Sequence, residues 1–207
     1  MTPLVLSALT ATSCIGRGVS QTLATLRAAR SGLTPCAFET VTLDTYVGEV
    51  TGVDDTRLPA RLDEEFECRN NRLAWLGLLQ DGFAEAVAAA ATRYGAARVG
   101  LFLGTSTSGI LDSEIAYRQR DAVSGALPAT FRYRGAHNTF SVAAFARRAL
   151  KLQGPAVVVS SACSSSGKVF ASAQRAIAAG LMDAAVVGGV DSLCLTTLYG
   201  FHALQLV

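Results

Sequence analysis

Residues 157–168 read VVVSSACSSSGK, three valines running into small hydroxyl residues with one thiol, Cys163, among them. A thiol at the first turn of a helix sits beside backbone N–H groups that have no intrahelical acceptor, at the positive end of the helix dipole. Both favour the thiolate, which is the nucleophilic form. The same N–H groups can hold the oxyanion that forms when a thioester is attacked. Ala162 and the serines that follow leave room for a substrate at the sulfur. The layout has the logic of a nucleophile elbow, with serines in place of glycines. The alternative is a small buried thiol beside a helix cap formed by Ser160 or Ser161. A cysteine nucleophile normally works with a base, and the sequence holds only two histidines, His137 and His202. His137 opens a predicted helix and His202 stands in YGFHALQL; both read as structural rather than catalytic.

The elements around Cys163 set its position. PAVVVSSA (155–162) is a continuous β-branched run of the kind that fills the middle of a parallel sheet. Residues 163–180 predict a helix that ends at Gly180, with so few charges that it should be buried on most sides. Residues 183–191 predict another buried strand, so strand, helix and strand form a right-handed unit of an α/β fold. Upstream, ARVGLFLGTSTSG (97–109) predicts a buried strand and then a loop whose hydroxyls cap backbone N–H groups or line a pocket. Leu4 to Leu9 reads as a first buried strand, and 18–32 as a helix with Val19, Leu23 and Leu26 on one face and Gly32 as its cap. Residues 33–60 read as a surface excursion with a short strand near 46–50. Residues 63–95 read as helical, opened by acidic residues, closed by Gly95 and broken at Gly77 or Gly82. A helix near 112–119, a long aromatic and basic loop, and a helix over 137–154 complete the order.

Composition excludes several classes. The 207 residues are half hydrophobic and 16% charged, with a net charge of +2, which fits one well-buried domain and argues against a nucleic-acid surface. The apolar N-terminus carries no charge before Arg17, so it lacks the basic start of a signal peptide. The apolar stretch 176–190 is interrupted by Asp183, Gly188 and Gly189, so no membrane span is expected. Five cysteines, an odd number at wide spacing without CxxC, fit free thiols in a reducing cytoplasm. They fit neither a disulfide framework nor a metal site, and no phosphate-binding glycine motif is present.

VVVSSACSSSGKVFASAQRAIAAGLMDAAVVGGVDSL resembles the active-site block of the β-ketoacyl-acyl carrier protein synthases of the elongating type. The resemblance covers nearly the whole chain: SALTATSCIGRGVSQTLATLRAARSGL matches the family's opening strand and helix, and GLFLGTSTSGI its second strand and pocket loop. GTSTSG and VVGGVDSLCLTTLYGF look most like the synthases of aryl polyene pathways. The resemblance implies a thiolase-like layered α/β fold, here the N-terminal half over residues 1–207, with a mostly parallel sheet and a buried nucleophile-bearing helix. It implies that Cys163 takes an acyl chain as a thioester from an acyl carrier protein, and that a malonyl thioester then loses carbon dioxide and attacks it.

No cofactor is implied beyond the phosphopantetheine arm that the carrier protein brings. Thr107 and Ser108 align with the loop that gates the acyl tunnel, and Phe131 and Tyr133 with the dimer interface and pocket floor. A homodimer, or a heterodimer with another synthase-like chain, is expected. The family's two catalytic histidines, its lysine and part of its oxyanion hole lie in a second half that this sequence lacks, and neither His137 nor His202 matches those histidines. Full condensation by this chain alone is therefore not expected. Two alternatives stay open: a non-catalytic partner like a chain length factor, against which Cys163 argues, and another thiolase-fold enzyme. Carrier proteins are acidic, which makes Arg69, Arg72, Arg132 and Arg134 candidate docking residues beside their reading as ordinary solvated charges.

Overall fold

The computed structural model describes residues 3–207. Residues 3–10 make no backbone hydrogen bond among the described residues, and Leu4, Val5, Leu6 and Leu9 are exposed. The buried strand expected at Leu4–Leu9 is therefore not formed. A strand needs an adjacent edge, and the nearest sheet edge stands across an open groove described below.

The chain then makes a tight antiparallel ladder of β1 (Thr12–Ser13) and β2 (Gly16–Arg17) and enters α1 (Val19–Arg27). The cap of α1 comes from far along the sequence: the Val19 N–H donates to both carboxylate oxygens of Asp81, at 3.1 and 3.0 Å. The helix ends before the predicted Gly32. Ala29 turns left-handed (φ 50°), and the N–H groups of Ala29 and Arg30 close back on Leu26 and Thr25. Gly32 serves packing instead, since a Cβ there would meet the Cys14 carbonyl oxygen at 2.4 Å. Leu23 and Leu26 remain exposed. In the surface excursion, β3 (Thr34–Pro35) pairs antiparallel with β4 (Tyr46–Val47).

The helical region divides into α2 (Asp63–Phe66), α3 (Arg69–Leu78) and α4 (Phe83–Tyr94). The break between α3 and α4 lies at Asp81–Gly82, both at positive φ, while Gly77 stays inside α3. Next come β5 (Val99–Gly104), α5 (Ile110–Arg118), a π-helical turn at Tyr133–His137 and α6 (Ser141–Ala149). His137 therefore closes that turn and does not open the following helix. The last elements are β6 (Ala156–Val159), α7 (Ser165–Ala178), β7 (Ala184–Gly189) and α8 (Leu195–Ala203).

The sheet is parallel in the order β6-β5-β7, so the central strand is β5 and not β6. The reason lies in its two faces. Val99, Leu101 and Leu103 join Phe66, Val142 and Phe145 in the main core, whereas Phe102 packs with Val169, Ala173 and Met182 beneath α7. All six residues of β5 are buried, while β6 at the edge is half-buried. The connection from β6 through α7 to β7 passes over β5.

The helix α7 buries one stripe, Ser165, Val169 and Ala173. Its outer face, which includes the 46% exposed Phe170, has no cover among the described residues, so the helix is half-buried and not enclosed as predicted. A groove of about 450 Å³ separates Val5–Thr12 from the outer edge of β7, floored by Leu78, Phe83 and Val87 of the helical layer. No helix among the described residues is long and apolar enough to cross a membrane.

Candidate active site at Cys163

Five residues join β6 to α7, and Cys163 lies among them, two positions before the first helical residue. It precedes the helix and is exposed, which also removes the reading as a buried small hydrophobe. The residue before it, Ala162, is left-handed at φ 52°, a conformation that a residue with a Cβ holds only when its surroundings fix it. The fixing is visible. The Ala162 carbonyl accepts from the Ser165 hydroxyl (2.7 Å), the Ser165 N–H (3.1 Å) and the Ser106 hydroxyl (3.2 Å). The Ser165 hydroxyl in turn accepts from the Ser161 N–H at 2.8 Å. The serines after Cys163 thus lock a sharp elbow that presents the thiol to solvent.

The start of α7 is held down by two glycines of the sheet. A Cβ on Gly104 would meet the Ser165 carbonyl carbon at 2.5 Å and the Ser166 nitrogen at 2.6 Å. One on Gly189 would meet the Ser166 Cβ at 2.5 Å. Both glycines let the helix backbone settle directly on β5 and β7.

Cys163 lines a cavity of about 380 Å³ together with Thr107, Arg69, Asp191, Leu193 and Phe201. Ala162, Ser165 and Ser166 beside it also line the cavity, and of the residues singled out elsewhere in the sequence Thr107 and Arg69 reach it. Ser108, left-handed at φ 43°, turns its hydroxyl inward to the carbonyls of Ala136 (3.2 Å) and Asn138 (3.0 Å). Phe131 is half-buried and does not line the cavity; Tyr133 is exposed and stacks on His137 with ring centroids 5.5 Å apart. The His137 Nδ1 contacts the Ser113 hydroxyl, and the exposed His202 bonds the Val207 carbonyl at 3.1 Å. Neither histidine lines the cavity.

The arginines separate in the same way. Arg69 is 9% exposed, pairs with Glu49 and Asp54 at 3.2 Å each, and stacks over Phe38 at 4.8 Å. It is consumed inside the fold and is not a docking charge. Arg72 pairs with Glu67 and donates to the Asp54 carbonyl at 3.0 Å. Arg132 and Arg134 are exposed and in no ion pair among the described residues. No group of three or more side chains suited to a metal ion occurs among the described residues.

Beneath this network lie Cys68 and Asp112. Burial, reinforced by the charge of Asp112, pushes the Cys68 thiol up to about 12. Burial pushes the Asp112 carboxyl up to about 6, against the Arg69 N–H and the Arg72 charge, which pull it down. The folded protein therefore holds this proton more tightly than the unfolded chain does. The associated stability is present at low pH and is lost as pH rises from about 4 to about 6. Asp112→Asn removes that loss, so its melting temperature should exceed the parent's increasingly from pH 4 to pH 7. Thermal melts across this range check it, and parallel curves would contradict it.

Sequence reasoning missed Asp191, whose carboxylate gathers the 105–107 loop, and Ser106, which reaches the elbow. The one signal available was the acid that closes the apolar GGVD run.

The sequence matches the family described as Beta-ketoacyl synthase, N-terminal domain, over residues 1–207. The chain belongs to that family. Among solved structures it is similar to the ketosynthase ApeO in complex with its chain length factor ApeC from Xenorhabdus doucetiae. The identity is 30% and the TM-score 0.74, over 93% of this chain and 48% of that one. The ishigamide ketosynthase/chain length factor matches at 21% identity and TM-score 0.75, over 94% of this chain and 49% of that one. A β-ketoacyl synthase from Burkholderia phymatum STM815 matches at 19% identity and TM-score 0.68, over 93% of this chain and 48% of that one. This ketosynthase domain thus spans about half the length of these relatives. No curated protein matches its sequence. The thiolase-like α/β fold expected from the sequence is the fold that the domain has.

Proposed function

We propose that this domain is the nucleophile-bearing half of an elongating β-ketoacyl synthase and that Cys163 is its acyl acceptor. The observation that carries the reading is the exposed thiol, on a strained and hydrogen-bonded elbow, in a cavity at the start of α7. In this reading the Cys163 sulfur attacks an acyl-carrier thioester. A carbon–sulfur bond forms to Cys163, and the carrier's phosphopantetheine thiol leaves with the proton. A malonyl-carrier thioester then loses carbon dioxide, its carbanion attacks the acyl-cysteine, and the Cys163 thiolate leaves from a product two carbons longer and takes a proton from water. The groups that promote decarboxylation come from a complementary second half, because neither histidine of this domain lines the cavity. The groove along β7 and the uncovered face of α7 are where that half would pack.

A dimer with another synthase-like chain is supported by the likeness to two ketosynthase and chain length factor structures. The 30% identity to ApeO and the wording of GTSTSG favour a polyene pathway, and the five free cysteines favour a reducing compartment such as the cytoplasm. Mixing the domain with an acyl-carrier thioester should release one equivalent of carrier thiol per Cys163; release of none would count against the proposal. Such a chain would bind a synthase without being acylated, which is the reading as a non-catalytic partner.

Thr107 lines the cavity and is assigned to the acyl-chain boundary. Phe131 and Tyr133 are assigned to a subunit interface, outside the cavity. Arg132 and Arg134 are assigned to carrier docking. Replacing both with alanine should weaken carrier binding several-fold at low salt and flatten its salt dependence. Titration calorimetry at two ionic strengths checks this, and unchanged binding would contradict it.

A further inference from the structure

We infer that Asp191 is a positioning residue that sets the Cys163 elbow through Ser106, an inference that rests on the reading of Cys163 as the acyl acceptor. Asp191 follows the end of β7. One of its carboxylate oxygens, Oδ1, accepts four hydrogen bonds. They come from the Ser106 N–H (2.6 Å), the Thr107 N–H (3.1 Å) and the hydroxyls of Thr105 and Thr107 (3.2 Å each). An ionised carboxylate only accepts, and its charge strengthens each bond. The Thr107 hydroxyl also accepts from the Ser192 N–H at 3.0 Å, so the two loops are fastened in both directions. The Thr105 hydroxyl further accepts from the Ser108 N–H at 3.1 Å, which fixes the left-handed turn that follows.

The loop so gathered touches the nucleophile's backbone. Ser106, fixed by its N–H on Asp191, donates its hydroxyl to the Ala162 carbonyl at 3.2 Å. Ala162 is the left-handed residue directly before Cys163. The path from carboxylate to sulfur is therefore Asp191, Ser106, Ala162 and Cys163, with Asp191 and Cys163 lining the same cavity. Attack on a thioester carbonyl needs the sulfur aligned with the N–H groups that receive the oxyanion, and small misplacements are costly. Alkylation of an exposed thiol has no such requirement.

The test compares these two reactions at Cys163 in the whole chain. Asp191→Ala should slow acylation at saturating acyl-carrier thioester on the order of ten- to a hundredfold. Its iodoacetamide alkylation rate should stay within about threefold of the parent's, because simple displacement does not use the elbow. Ser106→Ala should act likewise, and the double variant should be no slower than the slower single one. Asp191→Asn keeps an oxygen acceptor and should recover most of the rate, which serves if the alanine variant folds poorly. Parental acylation in Asp191→Ala, multiplying effects in the double variant, no rescue by asparagine, or an equal loss of alkylation would each overturn the assignment. A parent chain that takes no acyl group at all would overturn the reading of Cys163 and this inference with it.

Discussion

Cys163→Ala abolishes acyl loading and leaves the fold intact: that is the expected result of the largest single change available in this molecule. The thiol is exposed and its loss opens no cavity, so stability should move by no more than about 0.5 kcal/mol. Loss of a covalent nucleophile should lower acylation by more than ~10³-fold. Rescue by another thiol is not expected. Burial pushes Cys68 up to about 12 and also raises Cys194, so both are inaccessible and hard to ionise. Cys14 and Cys36 are half-buried and do not line the cavity. Intact mass after incubation with acyl-carrier thioester, with a urea titration of the same sample, reads both effects. An acyl adduct persisting in the alanine variant would show that another residue is the acceptor.

Gly104→Ala carries the second large effect, on stability and acylation together. The added methyl would fall 2.5 Å from the Ser165 carbonyl carbon and 2.6 Å from the Ser166 nitrogen, both backbone atoms that move only with the helix. Overpacking of this kind costs about 1–3 kcal/mol. Lifting the first turn of α7 also disturbs the bonds by which Ser165 holds Ala162, so acyl loading should fall as well. Gly167→Ala is the control in the same helix. Nothing lies within 4 Å of its added carbon, and removing a helical glycine should stabilise by roughly 0.5–1 kcal/mol. Denaturant midpoints for the two variants should move in opposite directions; a tolerated Gly104→Ala would contradict the packing argument.

What could be read from the sequence was whatever depends on neighbours in the chain. The apolar run 99–104 is a strand, Gly180 follows the end of α7 at φ 74°, and Cys163 lies at a strand-to-helix turn, because local pattern and turn chemistry decide these. The failures share one cause, namely partners distant in sequence. Leu4–Leu9 has the composition of a strand but stands across the groove from the β7 edge without pairing to it, so propensity alone does not form it. The middle of the sheet went to β5 because two layers cover it, which no run of valines announces. Arg69 looked like a surface charge until Glu49, Asp54 and Phe38 converged on it. Asp191 gathers a loop some 85 residues earlier, and spacing in the sequence carries no trace of that. Phe131 and Tyr133 rest on resemblance alone, and they lie outside the cavity that holds Cys163.

The most direct test of the central claim is peptide mapping of the acyl group after the domain has reacted with an acyl-carrier thioester. Five cysteines compete for the label, which makes the position informative. A single acyl group on the peptide containing Cys163, with Cys14, Cys36, Cys68 and Cys194 unmodified, is the result predicted. Label spread over several cysteines, or label on a peptide without Cys163, would contradict it.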